Sequence, residues 1–515
     1  MNHQDKKVII VGAGVFGLST ALHMSRRGYK DITIFDLQPY HENSYDPAQG
    51  CDAASADVNK IYRCSYGEEI EYQNLALSGR KVWQSWNDQI ASSSQTDLPP
   101  ALTPKTQLYV NNGFLRISTH SELSEYDNVS LEYLEKADLR KYQTVRTNKE
   151  DRARLAKLDK EQPGQNWMHK LDLFKDRLDP DNGKPLDGFL DVTGGFTRAD
   201  KACAWVLHLC KKAGVKFVLG KQEGKLSKLL EEKDSSGGKV MKGIQTADGK
   251  QHLGDLVIVA AGGWTPSIVP DMNRLLETTA GSVATVQLPK NRPDLWDKYS
   301  PEKFPALAFG LTGHNSPVYG GLYGFPRTED GLIKIGYRGR KWTNYETSPI
   351  NGQRVSMPRT AFSDDPIHHV PKLAIDSLRT FIETFWSDLT ELGITKTRLC
   401  WYTDSNDNNF VIDYVPGYNK SLFVCSGGSG HGFKFLPVLG DHVVNQVEGK
   451  QDQFTNLWKY RKPSETETHV NGLDEGEAGD RVLAKLQLAQ NEDWTWKEKA
   501  LETIESLSNA VRAKL

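Results

Sequence analysis

The sequence has no long hydrophobic run, no pair of closely spaced cysteines and no excess of charge of one sign. Because no apolar stretch approaches the ~18 residues that a membrane-spanning helix needs, we expect no membrane segment. The six cysteines are scattered without a C-x-x-C pair, which disfavours a zinc site and a disulfide scaffold and indicates a reducing compartment. With 64 Lys plus Arg against 66 Asp plus Glu, the chain lacks the basic excess of a nucleic-acid-binding protein.

The N-terminal residues also lack the apolar segment and small-residue cleavage site of a signal peptide, so we expect none. Hydrophobic residues make up 38% of the 515 residues and the mean hydropathy is −0.55, as in soluble proteins with a substantial core. These features together predict a soluble globular protein that binds neither nucleic acid nor membrane.

The clearest positive signal lies near the N-terminus. A β-branched run at residues 8–11 suits a strand buried on both faces of a parallel sheet. It leads into Gly-Ala-Gly-Val-Phe-Gly, a helical pattern and a second strand that ends in an acid. In this order the glycines make a tight turn, let the backbone approach a pyrophosphate and let the helix pack, while the acid binds ribose hydroxyls. The pattern predicts a dinucleotide site at Gly12, Gly14, Val15, Phe16, Gly17 and Asp36.

A second part of this unit follows much later in the chain. A helical pattern at 202–213 and a strand-like run at 215–218, which includes Val218, precede a buried strand at 256–259 followed by Gly262. Nicotinamide-binding domains of this kind are usually contiguous, and a split one is typical of flavoproteins. The cofactor-binding half is therefore predicted to be split by a long excursion of the chain.

The rest of the chain has other patterns. Residues 283–288 and 319–338 alternate like strands of an antiparallel sheet, and 146–184 is a charged, turn-rich stretch that we expect on the surface. From residue 481 to the end a helical pattern is predicted. The predicted organisation is a cofactor domain at 1–85, 190–275 and 400–450, a substrate domain at 86–145 and 276–399, a charged insertion at 146–189 and a helical extension at 451–515.

Three blocks of sequence carry a family resemblance. They are Asp-Val-Asn-Lys-Ile-Tyr-Arg at 57–63, the stretch from Tyr-Gly-Phe-Pro to Lys-Ile-Gly-Tyr-Arg at 323–338, and the stretch from Cys-Trp-Tyr-Thr to Gly-His-Gly-Phe-Lys-Phe at 400–435. In this order they resemble the FAD-dependent amine oxidases of the monomeric sarcosine oxidase family, over residues 8–450. That family includes fructosyl amino acid oxidases (amadoriases) and the pipecolate and saccharopine oxidases.

The resemblance implies an α/β fold in which a glutathione-reductase-type FAD-binding Rossmann domain, split in sequence, is interleaved with a mixed, largely antiparallel β-sheet substrate domain. It also implies FAD attached as 8α-S-cysteinyl FAD through Cys400; Cys425 is the alternative within this chain, and a free cysteine is most often a small buried hydrophobe. The segment 428–434 is expected as a glycine turn into a helix that faces the flavin. Further cofactor-binding positions implied are Asn59, Lys60, Gly430, Gly432, Phe433 and Lys434.

For catalysis, Lys334 matches the family lysine that promotes reaction with oxygen, since a fixed cation stabilises the anion formed when O₂ accepts an electron. Lys60 matches a lysine of the amadoriases. Arg63 and Lys434 match a clamp for the substrate carboxylate, with Tyr323 and Tyr402 as pocket walls. The plainer alternatives are that Lys334 is a surface lysine and that Tyr323 and Tyr402 are core tyrosines.

Two departures bear on the substrate. Amadoriases carry an acid near position 338 and an arginine at 431, whereas this chain has Arg338 and His431. His431 follows the sarcosine and pipecolate pattern, and Arg338 suits a second carboxylate such as that of saccharopine. Fructosyl amino acids, and N-methylated aromatic amino acids of alkaloid pathways, stay open as alternatives. His368 and His369 adjoin acidic turn residues, so a solvated loop is expected there and no metal site.

The implied activity is oxidation of a secondary amino acid: hydride passes from the carbon beside nitrogen to FAD, the imine hydrolyses, and O₂ is reduced to H₂O₂. The partners expected are a small amino acid and O₂, and the chain is expected to be a monomer. Its last residues, Ala513, Lys514 and Leu515, form a conservative variant of the peroxisomal S-K-L signal, which predicts an import receptor and a peroxisomal location. A dehydrogenase with a protein acceptor and a non-catalytic flavin-binding protein are the alternative functions.

Overall fold

A computed structural model describes residues 3–51, 53–235, 237–310, 321–361, 363–462 and 473–496 of the protein. Two large sheets dominate it, a six-stranded first sheet and an eight-stranded second sheet. In spatial order the first sheet contains Val411–Tyr414, Leu422–Ser426, Leu256–Val259, Lys7–Val11, Asp31–Asp36 and Lys216–Leu219. All neighbours are parallel except the pair at the edge formed by the first two strands.

The strand Lys7–Val11 lies near the centre of this sheet because its apolar side chains can be buried on both faces. It leads into the helix Val15–Arg26, which packs against the helices Ala199–Lys212 and Leu439–Glu448. The long helix Ile70–Ser92 contributes Trp83 and Trp86 to the same core. The split cofactor-binding fold expected from the sequence is confirmed.

The second sheet is mixed and largely antiparallel, as expected. In spatial order it contains Lys396–Ser405, Leu276–Gln287, Leu332–Trp342, Leu322–Gly324, Ala306–Phe309, Phe114–Ile117, Gly188–Asp191 and Gln143–Val145. Only the pair Ala306–Phe309 and Phe114–Ile117 is parallel. The amphipathic helix Lys372–Phe385 packs its apolar face into the core of this sheet.

Three small sheets complete the β-structure of the described residues. They are formed by Leu226–Lys233, Lys239–Thr246 and Gln251–Leu253; by Lys60–Tyr62, Gly195–Thr197 and Tyr109–Val110; and by Tyr345–Thr347 and Arg354–Ser356. The remaining α-helices are Tyr40–Asn43, Glu125–Lys136, Lys149–Glu161, Trp167–Asp172, Thr265–Ile268, Pro293–Lys298 and Thr455–Trp458. In the part of the chain that the structure describes, no helix is both long enough and apolar enough to cross a membrane.

The stretch expected as a charged surface insertion, 146–189, is integrated into the domain built on the second sheet, which we call the second domain. Its helices Lys149–Glu161 and Trp167–Asp172 pack together, and Trp167 and Leu171 are buried in the core of the second sheet. A few apolar residues on one face are enough to bury a helix. In this stretch charged residues outnumber them, so the composition indicated a surface segment. The next strand, Gly188–Asp191, also pairs in the second sheet, and Lys396–Ser405 crosses the predicted domain limit at residue 400.

The helix expected from residue 481 onward is absent from residues 481–496, the part of this stretch that the structure describes. There the chain forms only the 3-10 helices Leu483–Lys485 and Asn491–Trp494. Bridges from Val482 to Thr343 and from Leu488 to Pro371 hold it extended against the second domain. Tertiary pairing therefore overrides the helical pattern. Residues 497–515 lie outside the described part of the chain.

Candidate active site

A cavity of about 1330 Å³ extends between the two large sheets. One end lies at the glycine turn after Lys7–Val11, and the other is closed by strands of the second sheet. Most of the residues singled out from the sequence line this cavity: Gly12, Gly14, Val15, Phe16, Asp36, Lys60, Arg63, Gly262, Tyr323, Arg338, Cys400, Tyr402, Gly430, His431, Gly432, Phe433 and Lys434. Gly17, Asn59, Val218 and Lys334 are not among the lining residues.

The glycine turn leaves room for a ligand at one position and for packing at the others. Gly12 has φ +110°, and a Cβ there would lie 2.4 Å from the carbonyl oxygen of Ala260. A Cβ on Gly17 would lie 1.9 Å from the carbonyl oxygen of Gly12, so this glycine permits close packing of the helix. A Cβ on Gly14 would meet only the side chain of Ser55, at 3.0 Å, because Gly14 faces the cavity.

The same turn offers polar groups to a dinucleotide. Asp36 accepts hydrogen bonds from the backbone N–H groups of Ala13 and Gln38, both at 2.8 Å. Burial raises the pKa of Asp36 to about 6, although these two N–H groups oppose the shift. Ser55, which the sequence did not single out, accepts a hydrogen bond of 2.9 Å from Val15 N. A cavity-facing glycine, a helix N-terminus and a carboxylate at the end of the next strand fit the pyrophosphate and ribose of FAD.

Midway along the cavity, Asp57 holds three cations. Its Oδ2 lies 2.6 Å from Nζ of both Lys60 and Lys334, and its Oδ1 lies 3.0 Å from Nη2 of Arg398. Lys60 also donates to the sulfur of Cys400, at 3.7 Å. We call these residues, Asp57, Lys60, Lys334, Arg398 and Cys400, the Asp57 cluster.

Asp57 is held in its ionised form within this cluster. Burial alone would raise the pKa of Asp57, but the charges of Lys334, Lys60 and Arg398 hold it far below its usual range. Burial lowers the pKa of Lys334 to about 8, with the charge of Asp57 opposing the shift. Lys334 does not line the cavity but lies behind its wall, where its ammonium also donates to the carbonyl of Asn59 at 2.7 Å.

Two further cations close the end of the cavity. The guanidinium of Arg63 lies over the ring of Tyr66, 4.2 Å from its centroid, and donates to the hydroxyl of Tyr126 at 3.4 Å. Nζ of Lys434 donates to the hydroxyl of Tyr66 at 2.6 Å and to the carbonyl of His431 at 2.9 Å. Burial lowers the pKa of Lys434 well below its usual value, and the charge of Arg63 lowers it further. A carboxylate placed here would pair with Arg63 and favour the protonated form of Lys434.

Arg338 and Tyr402 form another part of the wall. The guanidinium of Arg338 lies 5.3 Å from the centroid of the Tyr402 ring, and its Nη1 is 3.5 Å from the carbonyl oxygen of Gly430. Tyr323 lies over Gly336 of the neighbouring strand, where an added Cβ would come within 2.1 Å of the ring. His431 contacts Tyr66 and the carbonyl of Asn408, so its ring is already oriented by protein groups.

Some predicted positions differ from the expectation. Val218 packs into the core beside the first sheet, and the cavity is lined instead by the next segment, which includes Lys221, Gly224 and Leu226. The turn at 428–434 leads into the single 3-10 turn Phe433–Phe435, and the α-helix begins only at Leu439. Consecutive glycines and the short turn place backbone, rather than a helix N-terminus, beside the cavity.

Several candidate functional residues in the structure were not singled out by the sequence patterns. Asp57 lies in the first recognised block and Arg398 lies two residues before the third, and neither was assigned a role. Arg116 and Tyr126 line the same cavity as Arg63, and Arg116 pairs with the buried Asp127 at 2.6 Å. A buried arginine in the strand Phe114–Ile117, within an otherwise apolar run, was the signal available for this pair.

The glycine turn, the carboxylate at the end of the next strand and the elongated cavity between the two large sheets are features of a dinucleotide-binding enzyme. The chain belongs to the DAO family of FAD-dependent oxidoreductases, whose pattern matches residues 7–446. Its cofactor is therefore FAD, and the protein is an oxidoreductase of the amine and amino acid oxidase type.

Several known proteins are similar to this chain over nearly its whole length. L-saccharopine oxidase of Schizosaccharomyces pombe is 26% identical over 477 residues, which covers 89% of this chain and 94% of that one. N-methyl-L-tryptophan oxidase of Salmonella typhi is 24% identical over 453 residues, covering 87% and 96%. The solved structure of fructosyl peptide oxidase from E. terrenum superposes with a TM-score of 0.71 at 23% identity, covering 96% of this chain and 100% of that one. The last comparison establishes the fold.

Proposed function

We propose that the protein is an oxidase of secondary amino acids that transfers electrons to O₂ and releases H₂O₂. The observation that carries this proposal is the pair of basic side chains, the half-buried Arg63 and the buried Lys434, at the end of the FAD cavity. FAD, when bound, supplies the chemistry of accepting hydride from the carbon beside the substrate nitrogen. The protein must bind the substrate carboxylate, orient that carbon and keep water out.

Arg63 and Lys434 perform the first of these tasks. The planar guanidinium offers paired N–H donors and the ammonium a point charge, so one carboxylate can be held by both. Tyr66 fixes both cations, because its ring lies under Arg63 and its hydroxyl accepts from Lys434. Tyr323 and Tyr402 then restrict the remainder of the substrate from the second sheet.

The Asp57 cluster supports the reduction of O₂. Lys334 and Lys60 place positive charge at the cavity wall, and a fixed cation stabilises the anion formed when O₂ takes an electron. Cys400 lines the cavity beside Lys60, which supports covalent attachment of FAD through its sulfur. Cys425 is buried between the first sheet and the helix Val15–Arg26, where its sulfur is 4.0 Å from the hydroxyl of Thr20, and it does not line the cavity.

A substrate screen under anaerobic conditions tests the proposal. The holoenzyme is mixed with N-methylglycine, L-pipecolate, L-saccharopine, N-methyl-L-tryptophan and fructosyl-valine, and loss of the oxidised flavin absorbance is followed. We expect bleaching by at least one of the first four, and stoichiometric H₂O₂ when air is admitted. Bleaching by fructosyl-valine alone would establish the amadoriase alternative. Bleaching without peroxide would establish a dehydrogenase, and no bleaching by any amine would contradict the proposal.

We also propose that the protein is imported into peroxisomes as a monomer. The C-terminal Ala513, Lys514 and Leu515, which lie outside the described residues, are a conservative variant of the S-K-L import signal. Import would also confine an enzyme that forms peroxide. A fluorescent protein fused to the N-terminus should give a punctate peroxisomal distribution that becomes diffuse when the last three residues are deleted. Light scattering after size exclusion should give a mass near 57.7 kDa.

A further inference from the structure

We propose that Asp57 is a positioning residue that holds Lys60 against the sulfur of Cys400 and thereby controls the covalent attachment of FAD. This inference rests on the proposed attachment through Cys400. Attachment forms one S–C bond between Sγ and a methyl carbon of FAD, while one S–H and one C–H bond break. The two electrons and two protons released pass to O₂, which becomes H₂O₂.

The first argument is the geometry of Lys60. Its side chain is 23% exposed, and its ammonium has two close partners, Asp57 Oδ2 at 2.6 Å and Cys400 Sγ at 3.7 Å. A lysine side chain has four flexible carbons, so its ammonium stays in one place only if something anchors it. Asp57 is three residues earlier in the chain, and its carboxylate supplies this anchor.

The second argument is that Asp57 also binds the strand of the cysteine. Arg398 and Cys400 are two residues apart in the strand Lys396–Ser405, so their side chains point to the same face. Nη2 of Arg398 lies 3.0 Å from Asp57 Oδ1. One carboxylate therefore fixes both the cation and the strand that carries the sulfur.

The third argument is that Asp57 itself is held firmly. Its side chain is 2% exposed, its Oδ1 accepts from Val58 N at 2.9 Å, and its carbonyl accepts from Asp200 N at 2.9 Å. Lys334 adds a buried ion pair at 2.6 Å. Without the carboxylate, Lys60, Lys334 and Arg398 would repel one another, and Lys60 would move away from Cys400.

This position matters because a thiolate, rather than a thiol, is the nucleophile, and an adjacent ammonium stabilises its charge. The expected contribution of Lys60 is therefore to the rate of attachment. Non-covalent binding of FAD depends on the glycine turn and on Asp36, at the other end of the cavity, and should be much less affected.

The test compares Asp57→Asn with Asp404→Asn. Asp404 is also fully buried, forms an ion pair with Lys341 at 2.6 Å and lies on the same strand as Cys400, but has no contact with Lys60 among the ion pairs and hydrogen bonds of the described residues. Holoenzymes are purified in air. The covalent fraction of the bound FAD is then followed over time by flavin fluorescence of acid-precipitated protein and by the mass of the denatured chain.

We expect attachment at least tenfold slower in Asp57→Asn than in wild type, and near the wild-type rate in Asp404→Asn. Lys60→Gln should slow attachment as much, and the double variant of Asp57 and Lys60 should be no slower than Lys60→Gln alone, because both changes remove one interaction.

Wild-type attachment in Asp57→Asn, or equal slowing in Asp404→Asn, would overturn the inference. If Asp57→Asn does not fold, Lys60→Gln decides, since that side chain is partly exposed; a wild-type attachment rate in this variant would also overturn the inference. FAD released entirely from the wild-type protein by acid would instead contradict the proposed attachment at Cys400, which separates the two failures.

Discussion

Binding of a carboxylate at Arg63 and Lys434 should be accompanied by uptake of a proton. Lys434 is 4% exposed, and its neighbours are the hydroxyl of Tyr66 and the carbonyl of His431. Burial lowers the pKa of Lys434 well below 10.5, and the charge of Arg63 adds to the effect. A bound carboxylate raises the pKa of Lys434 again, because the protonated lysine then gains a partner of opposite charge.

The size of the effect follows from Coulomb's law. A carboxylate about 4 Å from the ammonium, at an effective dielectric constant of about 20, interacts with it by about 4 kcal/mol. At ~1.4 kcal/mol for each pKa unit, the pKa of Lys434 rises by about three units on binding. Between the free and bound pKa values one proton is taken up, and the Kd rises about tenfold for each unit of pH. Affinity therefore falls as pH rises through this window.

The assay uses propionate, a carboxylate without an amine, titrated calorimetrically into the holoenzyme. Heats measured in buffers of different ionisation enthalpy give the number of protons taken up, and we expect close to one at the pH where uptake is largest. Lys434→Met keeps Arg63 but should bind without this proton. The titratable neighbours Glu69 and His431 remain in this variant, so unchanged uptake there would assign the proton to them and refute the reasoning.

Three further predictions concern single lysines and the cysteine. Cys400→Ser should release all FAD on acid precipitation, whereas retention of the colour would contradict attachment at this position. Lys334→Met should slow reoxidation by O₂ far more than reduction by substrate, and should abolish a decline in the wild-type reoxidation rate as pH rises through about 8, the pKa to which burial brings this lysine; equal effects on both half-reactions would contradict the role. Lys170 is fully buried beside Trp167, and burial lowers its pKa from 10.5 to about 7. Because the unfolded chain then binds more protons between these values, wild-type stability should rise with pH in that window, and Lys170→Met should be more stable by up to ~4 kcal/mol near pH 7, as measured by denaturant unfolding at pH 7 and pH 10.

The cofactor half of the fold could be predicted because its signals are local. The strand Lys7–Val11, the glycine turn and Asp36 are close in sequence, and each has a residue type that its backbone or burial requires. The resemblance then brought together Cys400, Lys434 and Arg63, which the structure places along one cavity. Motif order was sufficient for this because the family fold fixes how the motifs meet.

The contacts within the site could not be predicted in the same way. The strand Leu332–Trp342 buries Lys334, but only the folded chain shows that its ammonium pairs with Asp57 behind the cavity wall. The partners are 277 residues apart in sequence. Periodicity gives the face of a strand to which a side chain points, whereas the partner it meets depends on how two distant segments pack.

The acidic segment at residues 473–496 shows that the partners of charged side chains also depend on how distant segments pack. Read alone, its acids suggest a solvated tail, yet Glu477 pairs with Arg354, and Arg481 is buried between Glu475 and Glu277, at 2.9 Å from each. Glu277 is the second residue of Leu276–Gln287, the strand that pairs with those carrying Lys334 and Cys400. This segment lies beyond the family match, which ends at residue 446, and the ion pair of Arg481 with Glu277 packs it on the strands behind the site.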